Sequence, residues 1–155
     1  MNTYAQNTSV TSEASRAEIE RTISRYGASS FAYGWTGKQA MVGFEIADRQ
    51  VRFHLPMPDR NDRRFTHTPA RGTKRSSSAA AAEYDKAVRQ RWRALLLVIK
   101  AKLEAVESGI VTFDQEFLAH LVLPGGRTVA DMVIPQVEET LESGQAPRMF
   151  ELESE

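Results

Sequence analysis

The chain has 155 residues, and its 20 basic and 20 acidic side chains give a formal net charge of zero. This length predicts one domain, and the neutrality excludes a uniformly cationic coat protein for nucleic acid. The sequence has no cysteine, which excludes disulfide bonds, thiolate zinc sites and cysteine nucleophiles. We expect no membrane span, because no apolar stretch is long enough, and no signal peptide, because residues 1–12 are polar.

The neutral total is the sum of two oppositely charged regions. Residues 1–50 carry 5 basic and 5 acidic side chains, residues 51–110 carry 13 and 6, and residues 111–155 carry 2 and 9. The net charges of the three regions are therefore 0, +7 and −7. The basic middle can contact the phosphates of a partner, or it can pair with the acidic end of the same chain or of another copy. The sequence leaves both interpretations open.

The N-terminal part predicts a disordered lead followed by a helix. Residues 1–14 are expected to be disordered because Asn, Thr and Ser dominate this stretch. Ser15 and Glu18 have the spacing of a capping box, which predicts that the helix begins near Ser15. Gly27 is expected to end this helix by adopting a left-handed conformation.

Three segments with strict alternation predict an antiparallel meander. The strands are expected at residues 31–35, 40–46 and 51–57, where apolar side chains occupy every second position. Short turns at 36–38 and 47–49 separate them. Alternation of this kind is typical of a sheet with one buried face.

A basic loop and a long helix follow the sheet. Residues 58–78 hold six Lys or Arg against two Asp, and an irregular loop of this length is usually functional or disordered. The helix is expected from Ser78 to Ser108, with Gly109 as its end. Apolar side chains from Tyr84 to Val106 step by three and four residues and form one apolar arc.

The charged residues of this helix fall into two groups. A basic face opposite the apolar arc comprises Lys86, Arg89, Arg93 and Lys100. Arg91 and Lys102 instead project into the apolar arc, where a charge needs a partner. Glu45 and Asp131 are candidates for that partner.

The C-terminal third predicts two more helices around a short strand. Thr112 is expected to cap a helix at 113–119, residues 121–123 form a short strand, and a last helix runs over 128–143. Pro135 is expected to kink or restart that helix. Its inward residues are expected to be Val129, Met132, Val133, Val137 and Leu141. The chain is thus predicted to be one α+β domain at 15–146, followed by an acidic tail at 147–155.

Motifs for catalysis and cofactor binding are absent from the sequence. It contains no phosphate-binding loop, no dinucleotide-binding glycine pattern and no Gly-x-Ser-x-Gly. The three histidines, His54, His67 and His120, lack the spacing of a zinc site. Asp59 and Asp62 are a fragment of a metal-dependent nuclease site, but turn formation explains both more simply. We therefore expect no catalytic residue, no metal and no cofactor.

Aromatic residues accompany the basic ones, a combination typical of single-strand binding. Phe31, Tyr33 and Trp35 share one face of the first strand, although core packing is the more common role of such rings. Phe65 is hard to bury, because its neighbours are charged or polar, and could stack on a base. The predicted nucleic-acid-binding residues are Arg60, Arg63, Arg64, Phe65, His67, Arg71, Lys74, Arg75, Lys86, Arg89, Arg93 and Lys100.

Two resemblances bear on function. The order helix, three-stranded meander and long basic-faced helix over residues 15–109 is similar to the core of Rad52-type single-strand annealing proteins, which form rings and hold single strands in a basic groove. More of the chain resembles small uncharacterised bacteriophage and prophage proteins. The similar phrases are Tyr33-Gly34-Trp35, Val51-Arg52-Phe53, Phe65-Thr66-His67, Arg91-Trp92-Arg93-Ala94-Leu95 and residues 100–110. This second resemblance implies a phage context without an assigned activity.

Together these features lead to a functional prediction and an alternative. The prediction is a phage-type protein that binds single-stranded nucleic acid in replication or recombination, as an annealing or mediator protein in the cytoplasm of the bacterial host. It can also form a homo-oligomer through its basic middle and acidic end. The alternative is an inhibitor or adaptor that binds host proteins and makes no nucleic-acid contact.

Overall fold

Helix α1 comprises Ser12–Arg25 and begins one turn earlier than the sequence predicts. In the computed structural model, which describes residues 10–146, the cap is Thr11, whose hydroxyl oxygen accepts a hydrogen bond of 3.1 Å from the Ala14 amide. Ser15 is not the cap, because it lies inside the helix, where it is completely buried. The predicted start at Ser15 and the predicted lead at 1–14 are both wrong at this boundary, and residues 1–9 lie outside the described part.

The predicted three-stranded meander is confirmed. Strands β1 (Ser30–Trp35), β2 (Gln39–Ile46) and β3 (Arg49–Pro56) pair antiparallel in the order β1-β2-β3. Ala47 and Asp48 form the β2–β3 turn with φ values of 50° and 61°, a left-handed geometry that suits the twist of a hairpin. The buried face of β2 and β3 consists of Ala40, Val42, Phe44, Ile46, Val51, Phe53 and Leu55.

Helix α1 and a second, long helix cover this buried face. Short helix α2 (Arg63–Thr66) lies in the basic segment, and the long helix α3 (Ser77–Glu107) confirms the predicted helix within one residue at each end. The apolar arc of α3 places Trp92, Leu96, Ile99 and Leu103 in the core, together with Ile19 and Ile23 of α1. The chain is therefore an α+β fold whose core lies between the sheet and the helices α1 and α3.

The outer edge of β3 is covered by the chain itself. Helix α4 (Phe113–Phe117) begins with a capping box formed by Thr112 and Gln115, as Thr112 predicts. A 3₁₀ turn (Leu118–His120) then leads to Leu121, which forms an isolated antiparallel β-bridge with Val51. The Val122 amide donates a hydrogen bond of 2.8 Å to the Gln50 carbonyl. Residues 121–122 thus extend the sheet beyond β3.

Lys102 finds a partner that the sequence did not indicate. Its ammonium group lies 3.1 Å from a carboxylate oxygen of Glu116 and donates to the Glu116 carbonyl at 3.2 Å. The predicted partners, Glu45 and Asp131, are wrong. The contact arises because α4 packs against the C-terminal part of α3.

Helix α5 (Val129–Ser143) contains Pro135 without a break. Proline has no amide hydrogen, so it leaves the carbonyl four residues earlier without its helical donor. That carbonyl belongs to Asp131, and it accepts a hydrogen bond of 2.9 Å from the Arg127 guanidinium. A side chain therefore replaces the missing backbone bond, and the helix does not restart at Pro135.

The predicted inward face of α5 is also wrong. No residue of α5 is buried, and Met132, Val137 and Leu141 are 42%, 45% and 78% exposed. The helix packs mainly against the 3₁₀ turn and does not reach the core. Val129 and Val133 are half-buried, but residues 10–146 leave Met132, Val137 and Leu141 largely uncovered. The predicted acidic tail at 147–155 lies outside the described residues.

Candidate functional site

An aromatic groove opens between the N-terminal end of α1, the β1–β2 turn and the N-terminal half of α3. Its volume is about 390 Å³. Two tryptophans, a tyrosine and two arginines dominate its wall; these residues are Trp35, Trp92, Tyr84, Arg16 and Arg60. Apolar contacts from Met57 and Val88 and the carboxylates of Glu13 and Asp85 complete it. We call this surface the aromatic groove.

The position of Trp35 in the sheet explains its exposure. Trp35 is the register partner of Ala40, and Tyr33 is the partner of Val42. Opposite residues of an antiparallel pair point to the same side, so both rings face the helix side of the sheet. Trp35 is nevertheless 75% exposed and Tyr33 47% exposed, because the helices cover β1 only in part. Core packing, the more common role for such rings, does not hold for Trp35.

Two guanidinium groups lie over aromatic rings in this region. Arg16 is 4.7 Å from the ring centre of Tyr33 and 5.0 Å from that of Trp92. Arg60 lies 4.2 Å from the ring centre of Tyr84. These distances are typical of cation–π contacts. They hold the two positive charges beside the aromatic rings of the groove, where Arg16 also forms an ion pair of 3.5 Å with Glu13.

The basic segment, residues 58–76, is folded rather than structureless. Asp62 caps α2 through a hydrogen bond from the Arg64 amide, and His67 forms a bridge with Lys74. The Arg75 guanidinium donates to the carbonyls of Arg64 and Phe65 at 2.9 and 3.0 Å. Asp59 and Asp62 therefore serve as turn and cap residues, as their sequence context indicates.

Phe65 anchors this segment and cannot stack on a base. Its side chain is only 4% exposed, and its ring meets the ring of Tyr84 edge-on with 5.8 Å between centres. The charged neighbours of Phe65 point outward because the single turn of α2 turns its one aromatic residue toward α3. The predicted stacking role of Phe65 is therefore wrong, and Tyr84 joins the segment to the aromatic groove.

The basic segment exposes a dense set of cations next to the groove. Exposed side chains in this set are Arg60, Arg63, Arg64, Arg71 and Lys74, whereas Arg75 is half-buried. His67 differs from them, because burial and the nearby charges of Arg63 and Lys74 lower its pKa. His67 is therefore mostly neutral at pH 7 and adds little to the positive charge.

The predicted basic face of α3 divides into two parts. Arg93 and Lys100 both bind Glu18 of α1, with 3.2 Å between the Arg93 guanidinium and the carboxylate. The hydrogen bond from Lys100, aided by the charge of Arg93, lowers the pKa of Glu18. These two cations hold α1 against α3, so they do not belong to an open basic surface. Lys86 and Arg89 are half-buried residues closer to the groove end of α3.

Two kinds of feature are absent from residues 10–146, a cluster of possible metal ligands and a long apolar helix. In this range no three His, Asp or Glu side chains are close enough together to hold a metal ion. None of the helices in the same range has the length and apolar character needed to cross a bilayer.

Comparison with known proteins returns no relative for this chain. No family model, no curated protein and no solved structure matches it. The aromatic groove and the basic segment are therefore the features from which a function can be inferred.

Proposed function

We propose that this chain binds single-stranded nucleic acid by stacking a base on Trp35 while arginines of the groove and of the basic segment contact phosphates. One observation carries the proposal: Trp35 is 75% exposed in a groove that also contains Arg16 and Arg60. Proteins that hold single strands combine aromatic platforms with a cationic path for the backbone. The four other exposed cations of the basic segment, Arg63, Arg64, Arg71 and Lys74, would extend this path beyond Arg60.

The proposal assigns separate energetic roles to the two kinds of residue. Stacking of one base on an aromatic side chain is worth about 1–3 kcal/mol. Phosphate contacts release counterions, so the logarithm of the affinity falls with the logarithm of salt by about 0.7 for each phosphate of a single strand. Binding through all five exposed cations therefore gives a slope of about −3.5.

The fluorescence of Trp35 provides a direct test of base stacking in the groove. The chain has two tryptophans, and Trp92 is only 3% exposed, so a base that stacks in the groove quenches mainly Trp35. We expect an unstructured oligonucleotide to quench the emission at low salt. Trp35→Ala should weaken binding, measured by anisotropy of a labelled oligonucleotide, by about 5- to 150-fold, and Trp35→Phe should retain most of the affinity because it keeps a ring.

Two charge-reversal variants distinguish a contact made in the groove from an effect of net charge alone. Arg60→Glu and Arg25→Glu change the net charge equally, but Arg25 is exposed near the C-terminal end of α1, away from the groove lining. Only Arg60→Glu should weaken binding strongly and reduce the salt slope. Absence of binding at low salt, or binding that ignores both salt and Trp35→Ala, would refute the proposal and favour the protein-binding alternative.

We propose the biological setting from the resemblance of several sequence phrases to phage proteins. We place the binding in replication or recombination of a bacteriophage, within the cytoplasm of its bacterial host. An annealing role adds one measurable property, which is acceleration of duplex formation between two complementary strands. Trp35→Ala should abolish that acceleration at protein concentrations where the unchanged chain is active.

A further inference from the structure

Strand β1 is an open edge of the sheet. It pairs with β2 on one side, whereas the corresponding edge of β3 is covered by residues 121–122. Within residues 10–146, no backbone hydrogen bond reaches the outer side of β1. Four of its six residues are exposed, and Phe31 and Gly34 are half-buried.

This edge lacks the features that normally prevent strand pairing. Proteins protect open edges with charged side chains, proline, bulges or very short strands. The sequence of β1 is Ser-Phe-Ala-Tyr-Gly-Trp, without a charge or a proline. Its register with β2 runs without interruption from Ser30 to Trp35, so it contains no bulge. Nothing in residues 10–146 occupies this edge, so it can accept another strand.

The register determines which backbone groups point outward. The Thr36 amide donates to the Gln39 carbonyl at 2.7 Å, which makes these two residues a hydrogen-bonded pair. Because such pairs alternate along antiparallel strands, Gly34 and Ala32 direct their backbone groups toward β2. Phe31, Tyr33 and Trp35 consequently direct theirs to the open side.

We propose that the occupant of this edge is a second copy of the chain, with the two β1 strands antiparallel about a two-fold axis at Tyr33. In this register Tyr33 lies opposite itself, and Phe31 lies opposite Trp35 of the second copy. Every outward backbone group then meets an outward group, which gives an isologous interface. The cross-strand neighbours are aromatic, which stabilises a sheet, and the β1 strands themselves contribute no charged side chain to the contact.

The size of the interface indicates a weak dimer. The exposed parts of Tyr33 and Trp35 amount to roughly 200–300 Å² of aromatic surface per copy, well below the roughly 800 Å² per partner of stable complexes. Dimerisation should therefore depend on concentration. Since side chains at opposed positions point to the same side, the two aromatic grooves would lie on one side of the joined sheet.

Sedimentation equilibrium from micromolar to near-millimolar protein tests the association without nucleic acid, so its result is independent of the proposed function. We expect the mass to rise from monomer to dimer. Tyr33→Ala and Tyr33→Pro both remove the ring, but only proline also removes an outward amide. Tyr33→Pro should therefore dimerise less than Tyr33→Ala, with circular dichroism confirming that both variants are folded.

The absence of cysteine from the sequence allows a register-specific test that does not depend on the proline variant. With a short bis-maleimide reagent, Tyr33→Cys should form a covalent dimer about tenfold or more faster than Met41→Cys, since opposed Cα atoms lie about 5.5 Å apart. Trp35→Cys should react slowly, because its two copies would be about 14 Å apart. A monomeric mass at every concentration, or equal cross-linking of Tyr33→Cys and Met41→Cys, overturns the proposal.

Discussion

Glu18 is the residue that fixes α1 to α3. Its carboxylate accepts from Arg93 and Lys100 across the helix interface, and its side chain is 29% exposed. The spacing of Ser15 and Glu18 predicts instead that Glu18 belongs to a capping box. Its observed partners, Arg93 and Lys100, lie 75 and 82 residues away in the sequence. Local spacing cannot reveal contacts of this range.

We expect Glu18→Gln to lower the free energy of unfolding by about 1–2 kcal/mol at pH 7. The pKa of folded Glu18 lies below its ordinary value of 4.5, so the ionised pair stabilises the fold above that pH. This stabilisation is lost as the pH falls through the lower, folded-state pKa. Denaturant titrations of both proteins should therefore differ at pH 7 and converge in acid.

Glu20→Gln is the control for this prediction, since Glu20 is exposed on the same helix and should have little effect at either pH. A difference between the unchanged chain and Glu18→Gln that is equally large at pH 7 and in strong acid would contradict the role of the ionised carboxylate.

Ser15 carries a buried polar group without a hydrogen-bond partner among residues 10–146. Because an unsatisfied buried hydroxyl destabilises the folded state, Ser15→Ala should raise the free energy of unfolding by about 1 kcal/mol. Ser24→Ala provides the control, because it makes the same change at an exposed position of α1. An equal gain from both variants would assign the effect to helix propensity rather than to the buried hydroxyl.

At the scale of elements, the sheet and α3 were the most predictable parts. Their signals are local: strict alternation in β2 and β3, and apolar steps from Tyr84 to Leu103 along α3. The tip of β1 was predicted as a strand, but the exposure of Trp35 depends on where the helices end. Arg16 was missed as a groove residue, since nothing near it in the sequence indicates that its helix approaches Trp92.

The period of α5 shows a limit of sequence patterns. An apolar stripe predicts that one face of a helix packs against a partner. It does not indicate whether that partner belongs to the same chain. Val137 and Leu141 follow the pattern and are nevertheless exposed. The basic segment shows the reverse case, because the single apolar residue Phe65 is enough to dock a charged segment on Tyr84.

Pro135 offers a test of how α5 is held. Pro135→Ala restores an amide that can bond to the Asp131 carbonyl, so amide hydrogen exchange in α5 should slow by about 10- to 100-fold. Arg127→Ala should accelerate exchange in the unchanged chain, where Arg127 is the donor to that carbonyl. In the Pro135→Ala background the same Arg127 substitution should have little effect.

Glu138→Ala changes an exposed residue of the same helix and should not reproduce the gain of Pro135→Ala. If Arg127→Ala has an equal effect with and without Pro135, its side chain does not replace the missing backbone bond.

At the scale of the whole molecule, the opposite charges of the middle and the end remain largely separate. Within residues 10–146, Lys102–Glu116 is the one ion pair that joins residues 51–110 to the acidic part. Arg93 and Lys100 instead share the single negative charge of Glu18. The exposed cations of the basic segment therefore keep most of their charge for an external partner.

The place of a residue in the whole fold determines how much its substitution changes the free energy of unfolding. Leu96 is completely buried and Leu141 is 78% exposed, although both belong to apolar stripes of helices. Leu96→Ala should lower the free energy of unfolding by about 2–5 kcal/mol, and Leu141→Ala should change it by less than about 0.5 kcal/mol. Denaturant titration checks both values. A large loss for Leu141→Ala would show that α5 belongs to the cooperative core.

The β2–β3 turn has a consequence for how this protein can evolve. Ala47 and Asp48 occupy left-handed conformations that Asn and Gly adopt at lower cost, so this exposed corner is not optimised. Substitution there can increase stability without touching the aromatic groove. The added stability would let the groove accumulate destabilising substitutions as its ligand changes. Such substitutions are tolerated only while the fold stays above the stability that function requires.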